Sequence, residues 1–182
     1  MSSLKRIGIF DTETTGLIKN RLTALSRLPE VIEFYLGVYS PKGKLIEEMD
    51  QLIKPLKPIT DEITGMNHID NAMVAKSPSF LKVAPKIKAL IEGCDRIVAH
   101  NAAFDRDMIE VEMERAGLKV NWPPILCTIE QSQPMTGARQ SLTNLHRTLF
   151  GEGFDEAHRA SKDVGALARC YFELVKRGYI VQ

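Results

Sequence analysis

No run in this chain is apolar for long enough to cross a bilayer. The opening residues, Met1-Ser2-Ser3-Leu4-Lys5-Arg6, have no apolar core of the secretory-signal kind. The expectation is a cytoplasmic protein with no membrane contact. Cysteine is scarce: Cys94, Cys127 and Cys170 are widely spaced, with no Cys-x-x-Cys pair, and read as buried, reduced thiols. An excess of either charge is also missing. Lys and Arg number 24 against 23 Asp and Glu, for a net charge of +1. That excludes a histone-like binder held by bulk charge, though not a site that grips a charged ligand through local groups. Internal repeats, low-complexity tracts and linkers are absent as well. What is present is a 182-residue chain, 44% apolar and 26% charged. It reads as a single domain, 1–182, with a sizeable core.

The apolar run Ile7-Gly8-Ile9-Phe10 predicts a buried first strand. After Gly16 a loop carries Lys19, Arg21 and Arg27. Ile32, Phe34, Leu36 and Val38 alternate, predicting a strand over 31–40. Pro41-Lys42-Gly43-Lys44 is a turn, and a partner strand over 45–53 completes a hairpin. Residues 54–71 read as a loop with one short helix. Ser77-Pro78 predicts a helix start, Pro85 a kink or a break into two pieces, and Gly93 the stop. A fourth strand over 96–100, a helix over 104–116 and a last strand over 123–128 follow. Residues 131–140 read as a loop, Ser141 as the opening of a helix, and 161–176 as a final helix. The order, hairpin first and then alternating helix and strand, is that of an α/β domain with a mixed sheet.

Three acidic motifs punctuate these elements. In Phe10-Asp11-Thr12-Glu13-Thr14-Thr15-Gly16-Leu17 the acids lie two apart at a strand end and project the same way. Adjacent carboxylates repel, so either one is protonated or a cation sits between them. Hard divalent ions such as Mg²⁺ take oxygen ligands of this kind. In His100-Asn101-Ala102-Ala103-Phe104-Asp105 the acid opens a helix, where the helix dipole alone would favour it. In His158-Arg159-Ala160-Ser161-Lys162-Asp163 the acid lies in the first turn of the last helix, beside its apolar stripe, where an unpartnered charge is costly.

Each motif alone has an ordinary structural explanation, but the three together are specific. In order and spacing they resemble the DEDDh (DnaQ-like) 3′–5′ exonucleases, the family of the proofreading subunit of bacterial replicative DNA polymerase. The resemblance runs from about Arg6 to Val175. It implies a ribonuclease H-like fold: a five-stranded mixed sheet with one antiparallel strand, flanked by helices. It also implies hydrolysis of phosphodiesters from a 3′ end, with single-stranded DNA favoured over RNA, releasing nucleoside 5′-monophosphates. Two divalent ions, Mg²⁺ or Mn²⁺, would flank the scissile phosphate roughly 3.5–4 Å apart.

By the same resemblance Asp11, Glu13 and Asp163 are direct metal ligands, and Asp105 acts partly through water. His158 takes the proton from the attacking water, a task suited to an unperturbed pKa of roughly 6.5. Thr12, Leu17, His68, Asn101 and Phe104 line the terminal-nucleotide pocket. Leu17 and Phe104 either stack on a base or pack in the core. His68 is a pocket residue or an ordinary loop histidine. Arg139, Arg159 and Lys162 are either phosphate contacts or solvated charges. Two features depart from the family pattern. Cys127-Thr128 stands where relatives often carry Asp-Thr, and no C-terminal polymerase-binding segment follows the last helix. The second argues against that mode of attachment to a polymerase, although a polymerase partner stays possible. The alternatives are an RNA-trimming exoribonuclease of the same family and a catalytically silent interaction module that keeps the fold.

Overall fold

A computed structural model describes residues 5–154 and 159–181. A five-stranded sheet runs in the order β3-β2-β1-β4-β5, with β1 Ile7–Thr14, β2 Val31–Tyr39, β3 Leu45–Leu52, β4 Arg96–Ala99 and β5 Ile125–Cys127. Strand β2 pairs antiparallel with both β1 and β3, while β1–β4 and β4–β5 are parallel. One strand therefore opposes the other four, as the resemblance implies. The β2–β3 hairpin turns at Gly43, whose φ of 78° suits a residue without Cβ. Its N–H donates to the Ser40 carbonyl.

Side-chain alternation splits the core between the two faces of the sheet. Phe10, Phe34, Leu36 and Met49 face helices α3 (Phe80–Glu92) and α4 (Ala102–Arg115), which contribute Ile87, Ile91, Met108 and Ile109. Ile7, Ile9, Tyr35 and Val98 face α6 (Leu142–Phe150) and α7 (Ala160–Lys176), meeting Leu145, Val164, Leu167 and Tyr171. Two short helices, α1 (Asp61–Asn67) and α2 (Asn71–Val74), close a third and smaller cluster. Its members are Ile32, Ile59, Ile63, Ile69 and Val74. Among the described residues no helix is long and apolar enough to cross a membrane.

Several boundaries differ from those read in the sequence. Strand β1 runs four residues past Phe10, so Asp11 and Glu13 belong to its last stretch of pairing, and the register with β2 shifts just after Glu13. The pairing of β2 continues along it, with Asp11 opposite Tyr35 and Glu13 opposite Glu33. The helix expected at Ser77-Pro78 begins at Phe80 with Ser79 as N-cap. The Pro78 carbonyl is taken instead by the Lys54 N–H. Pro85 breaks nothing: α3 is a single run, and the proline lies on its exposed side, where water can reach the orphaned carbonyl. Residues 131–140 are not all loop, because α5 spans Thr128–Thr136. Its buried residues are Thr128, Ile129 and Ser132, a face mostly small and polar that apolar periodicity cannot reveal.

Candidate active site

Strand β4 pairs with β1 only over Ile7–Ile9. Beyond Ile9 that edge of β1 is open, at the point where the chain's parallel and antiparallel pairings diverge. Such a switch point outside the carboxyl ends of parallel strands is where α/β sheets bind ligands. Asp105, in the first turn of α4 and 2% exposed, fills the gap. Its Oδ1 accepts from the Thr12 backbone N–H at 3.0 Å and from the Thr12 hydroxyl at 2.8 Å. On the α7 side of the sheet, Asp11 and Glu13 meet Asp163 from the first turn of α7. One carboxylate oxygen from each of the three lies within 4.8 Å of the others.

This crowding raises proton affinity. Burial first, then the charges of Asp105, Asp163, Glu13 and Glu33, pushes Asp11 well above the usual carboxylate range. Burial, then Asp163, Glu33 and Asp105, lifts Glu13 to about 8. Burial also raises Asp105, to about 7, although its bonds from Thr12 pull the other way. A cluster that binds protons this readily also favours a cation. An all-oxygen donor set drawn from two elements fits a hard divalent ion. Asp11, Glu13 and Asp163 are the residues placed to hold one, and Asp105 stands alongside with its Oδ1 taken by Thr12.

Sequence reasoning missed Glu33. It is 0% exposed and lies directly across the strand pair from Glu13. Its Oε1 accepts from the Arg159 guanidinium at 2.9 Å, and its Oε2 accepts from the Ala160 N–H at 2.9 Å. Arg159 is thus an ion-pair partner rather than a solvated charge or a phosphate contact. The signal was a single acid inside the apolar run Val31-Ile32-Glu33-Phe34. His158 lies outside the described residues. His100 braces the end of β4, its Nδ1 2.9 Å from the Thr128 hydroxyl and its Nε2 3.0 Å from the Gln140 carbonyl.

A groove of about 600 Å³ adjoins the acids. Thr12, Leu17, His68 and Phe104 all line it, together with Glu13, Met66 and Asn67. Asn101 is not among the lining residues. It caps α4, and its side-chain oxygen accepts from Arg139 at 3.4 Å. Leu17 is 70% exposed on the rim. Phe104 is half-buried and packs on the core while also facing the groove, so packing and lining coexist there. Among the described residues His68 and Asn101 are the non-glycine positions with positive φ, 60° and 69°. Backbone of this kind gathers at functional sites. Asn67, also missed, is buried with its Oδ1 accepting the Ile69 N–H at 3.1 Å, and its side chain hydrogen-bonds Glu13.

Comparison with known proteins adds the following. A family model described as RNase_T, exonuclease, matches residues 9–171. The DNA polymerase III PolC-type of Caldanaerobacter subterraneus subsp. tengcongensis is 30% identical over 174 residues, covering 93% of this chain but 11% of that protein. The protein of the same name from Staphylococcus saprophyticus is 26% identical over 170 residues, with the same coverage. The chain thus spans about a ninth of these relatives. Among solved structures, Exonuclease X in complex with 5′ overhanging duplex DNA matches with a TM-score of 0.69 at 24% identity, covering 96% of this chain and 94% of that one. The nuclease domain of 3′hExo, a DEDDh family member bound to rAMP, matches with a TM-score of 0.80 at 17% identity, covering 100% and 96%. At these identities the structures establish likeness of fold.

Proposed function

We propose that this chain, which belongs to the RNase_T exonuclease family, is a 3′–5′ exonuclease of the DEDDh type that removes nucleoside 5′-monophosphates from the 3′ end of single-stranded DNA. The observation that carries this reading is the convergence of Asp11, Glu13 and Asp163 beside a groove of nucleotide size. DEDDh exonucleases use divalent ions, and here Asp11, Glu13 and Asp163, with Asp105 acting partly through water, would hold two, Mg²⁺ or Mn²⁺. When bound, the ions lower the pKa of the attacking water and offset charge on the departing 3′-oxygen.

The chain's own groups do the rest. Asp105 occupies the N–H and hydroxyl of Thr12 and so fixes the strand that presents Asp11 and Glu13. Thr12 therefore lines the groove without a donor to spare. His158 accepts the proton that leaves the attacking water. Phe104 and Leu17 present apolar surface to the terminal base, which tolerates any base because every base has a stacking face. His68 shapes one wall of the groove, and Asn101 sets the start of the helix that presents Phe104. Residues 1–182 act as one exonuclease domain in the cytoplasm. A polymerase partner is supported by the relatives, in which the matched segment belongs to a protein named as a DNA polymerase.

RNA is the second reading, favoured by the likeness to a nuclease domain bound to rAMP. The test uses end-labelled DNA and RNA oligonucleotides, single- and double-stranded, with Mg²⁺, Mn²⁺, Ca²⁺ or chelator. The expected result is stepwise loss of 5′-monophosphates from single-stranded DNA with Mg²⁺ or Mn²⁺, and slower loss from blunt duplex, since unpairing a terminal nucleotide costs a few kcal/mol. Faster loss from RNA would favour the second reading. Turnover that survives chelation would overturn the metal assignment.

A further inference from the structure

Helix α7 delivers Asp163 to the metal cluster, yet its own N-cap residue, Arg159, makes no side-chain capping bond. The cap comes from across the sheet. Glu33 Oε2 accepts the Ala160 N–H at 2.9 Å, and Glu33 Oε1 accepts from the Arg159 guanidinium at 2.9 Å. The Arg159 carbonyl in turn accepts the Asp163 N–H at 2.9 Å. A continuous chain of bonds therefore runs from β2 through Arg159 to Asp163. Its starting point, Glu33, is the cross-strand neighbour of Glu13. The two residues that carry opposite sides of the cluster are held together by one fully buried carboxylate.

A buried carboxylate beside four others is costly unless a cation pairs with it. Arg159 supplies that cation, and its side chain is only partly exposed. The pairing has a second effect. It engages both Glu33 oxygens with α7, and Glu33 is not among the carboxylates whose oxygens converge within 4.8 Å.

We infer that Glu33 and Arg159 form a positioning clamp that sets where Asp163 stands relative to Asp11 and Glu13 and keeps Glu33 out of the metal's ligand set. The inference rests on the exonuclease reading for its effect on turnover, but its effect on metal binding stands apart from substrate. Neither residue lines the groove itself. Loss of the clamp should therefore lower kcat and metal affinity and leave KM nearly unchanged.

The test compares wild type with Glu33→Ala, Glu33→Gln, Arg159→Ala and Arg159→Lys. Mn²⁺ binding is followed by calorimetry well below each melting temperature, and kcat and KM are measured on one oligonucleotide. Removing a partner that orients metal ligands typically costs about 10–100-fold in metal affinity or activity. Glu33→Ala and Arg159→Ala should fall in that range for both Mn²⁺ affinity and kcat, with KM within about threefold of wild type. Glu33→Gln, which keeps an acceptor for the Ala160 N–H, and Arg159→Lys, which keeps the charge, should recover part of the loss. Mn²⁺ affinity and kcat within about twofold of wild type in both alanine variants would overturn the clamp. Should Glu33→Ala fail to fold, the near-isosteric Glu33→Gln and the half-buried Arg159→Ala decide by the same measures. If wild-type protein degrades no oligonucleotide, the exonuclease reading fails, and the Mn²⁺ titrations still judge the clamp.

Discussion

Replacing Glu13 by Gln removes one carboxylate from the cluster, and its surroundings set how much stability that returns to the metal-free protein. Burial is the main influence on Glu13, followed by the charges of Asp163, Glu33 and Asp105, and together they hold its pKa at about 8 against an ordinary 4.5. An acid whose pKa is higher in the folded than in the unfolded chain binds more protons when folded. Between pH 4.5 and about 8 the unfolded state therefore gains as protons leave, and stability falls as pH rises through that window. At about 1.4 kcal/mol per pH unit the interval amounts to about 5 kcal/mol. Glu13 is only partly buried, and solvent screening reduces that to about 2–5 kcal/mol. For a domain of this size each kcal/mol moves the melting temperature by about 2–4 °C. In chelator at pH 8, Glu13→Gln should therefore melt about 4–20 °C above wild type, while at pH 5, near the ordinary pKa of 4.5, the two should melt within about 3 °C of each other. Excess Mg²⁺ at pH 8 should stabilise wild type far more than the variant. A variant that melts no higher than wild type at pH 8 in chelator would refute the reading of Glu13 as a member of a mutually repelling cluster.

Asp11→Asn should leave the metal-free protein at least as stable as wild type while abolishing oligonucleotide cleavage, checked by parallel melts and end-labelled assays. His158→Ala should lose about 10²–10⁴-fold in kcat with Mn²⁺ affinity unchanged, and the fall in wild-type rate as pH drops through the histidine range should vanish. Thr12→Val removes one of the two donors to the buried Asp105 carboxylate. It should cost about 1–3 kcal/mol in urea unfolding. Arg115 pairs with buried Glu112 and donates to the carbonyls of Leu25, Leu28 and Pro29. Arg115→Ala should cost about 3–5 kcal/mol by stranding Glu112, and should raise KM by loosening the loop that presents Leu17.

The parts of the fold visible in the sequence are those written in apolar periodicity. The hairpin, α3 and α7 all follow from it. The acids were legible as a set because each sits at a fixed offset from an apolar element, and the structure brings Asp11, Glu13 and Asp163 together with Asp105 alongside. What escaped is polar and buried. Glu33 occupies the face of β2 opposite Ile32 and Phe34, where alternation alone predicts solvent. Arg159 looked like surface charge because its partner is 126 residues away. Asn67 reads as a helix-end residue, and its bond toward Glu13 exists only once α1 is laid against β1. Helix α5 was missed for the same reason, since Thr128 and Ser132 bury a face with no apolar signature.

The small cluster around Ile59, Ile63, Ile69 and Val74 has a consequence for how this scaffold diversifies. It shares Ile32 and the flanking Leu52 with the sheet, yet it packs apart from the two cores that hold α4 and α7. The helix it supports carries Met66, Asn67 and His68 to one wall of the groove. Substitutions there can redraw that wall while α4 and α7 keep Asp105 and Asp163 in register. One wall of the groove and the helices that carry Asp105 and Asp163 are thus housed in different packing units. Repacking a handful of aliphatic side chains can therefore reshape that wall while the acids stay where they are.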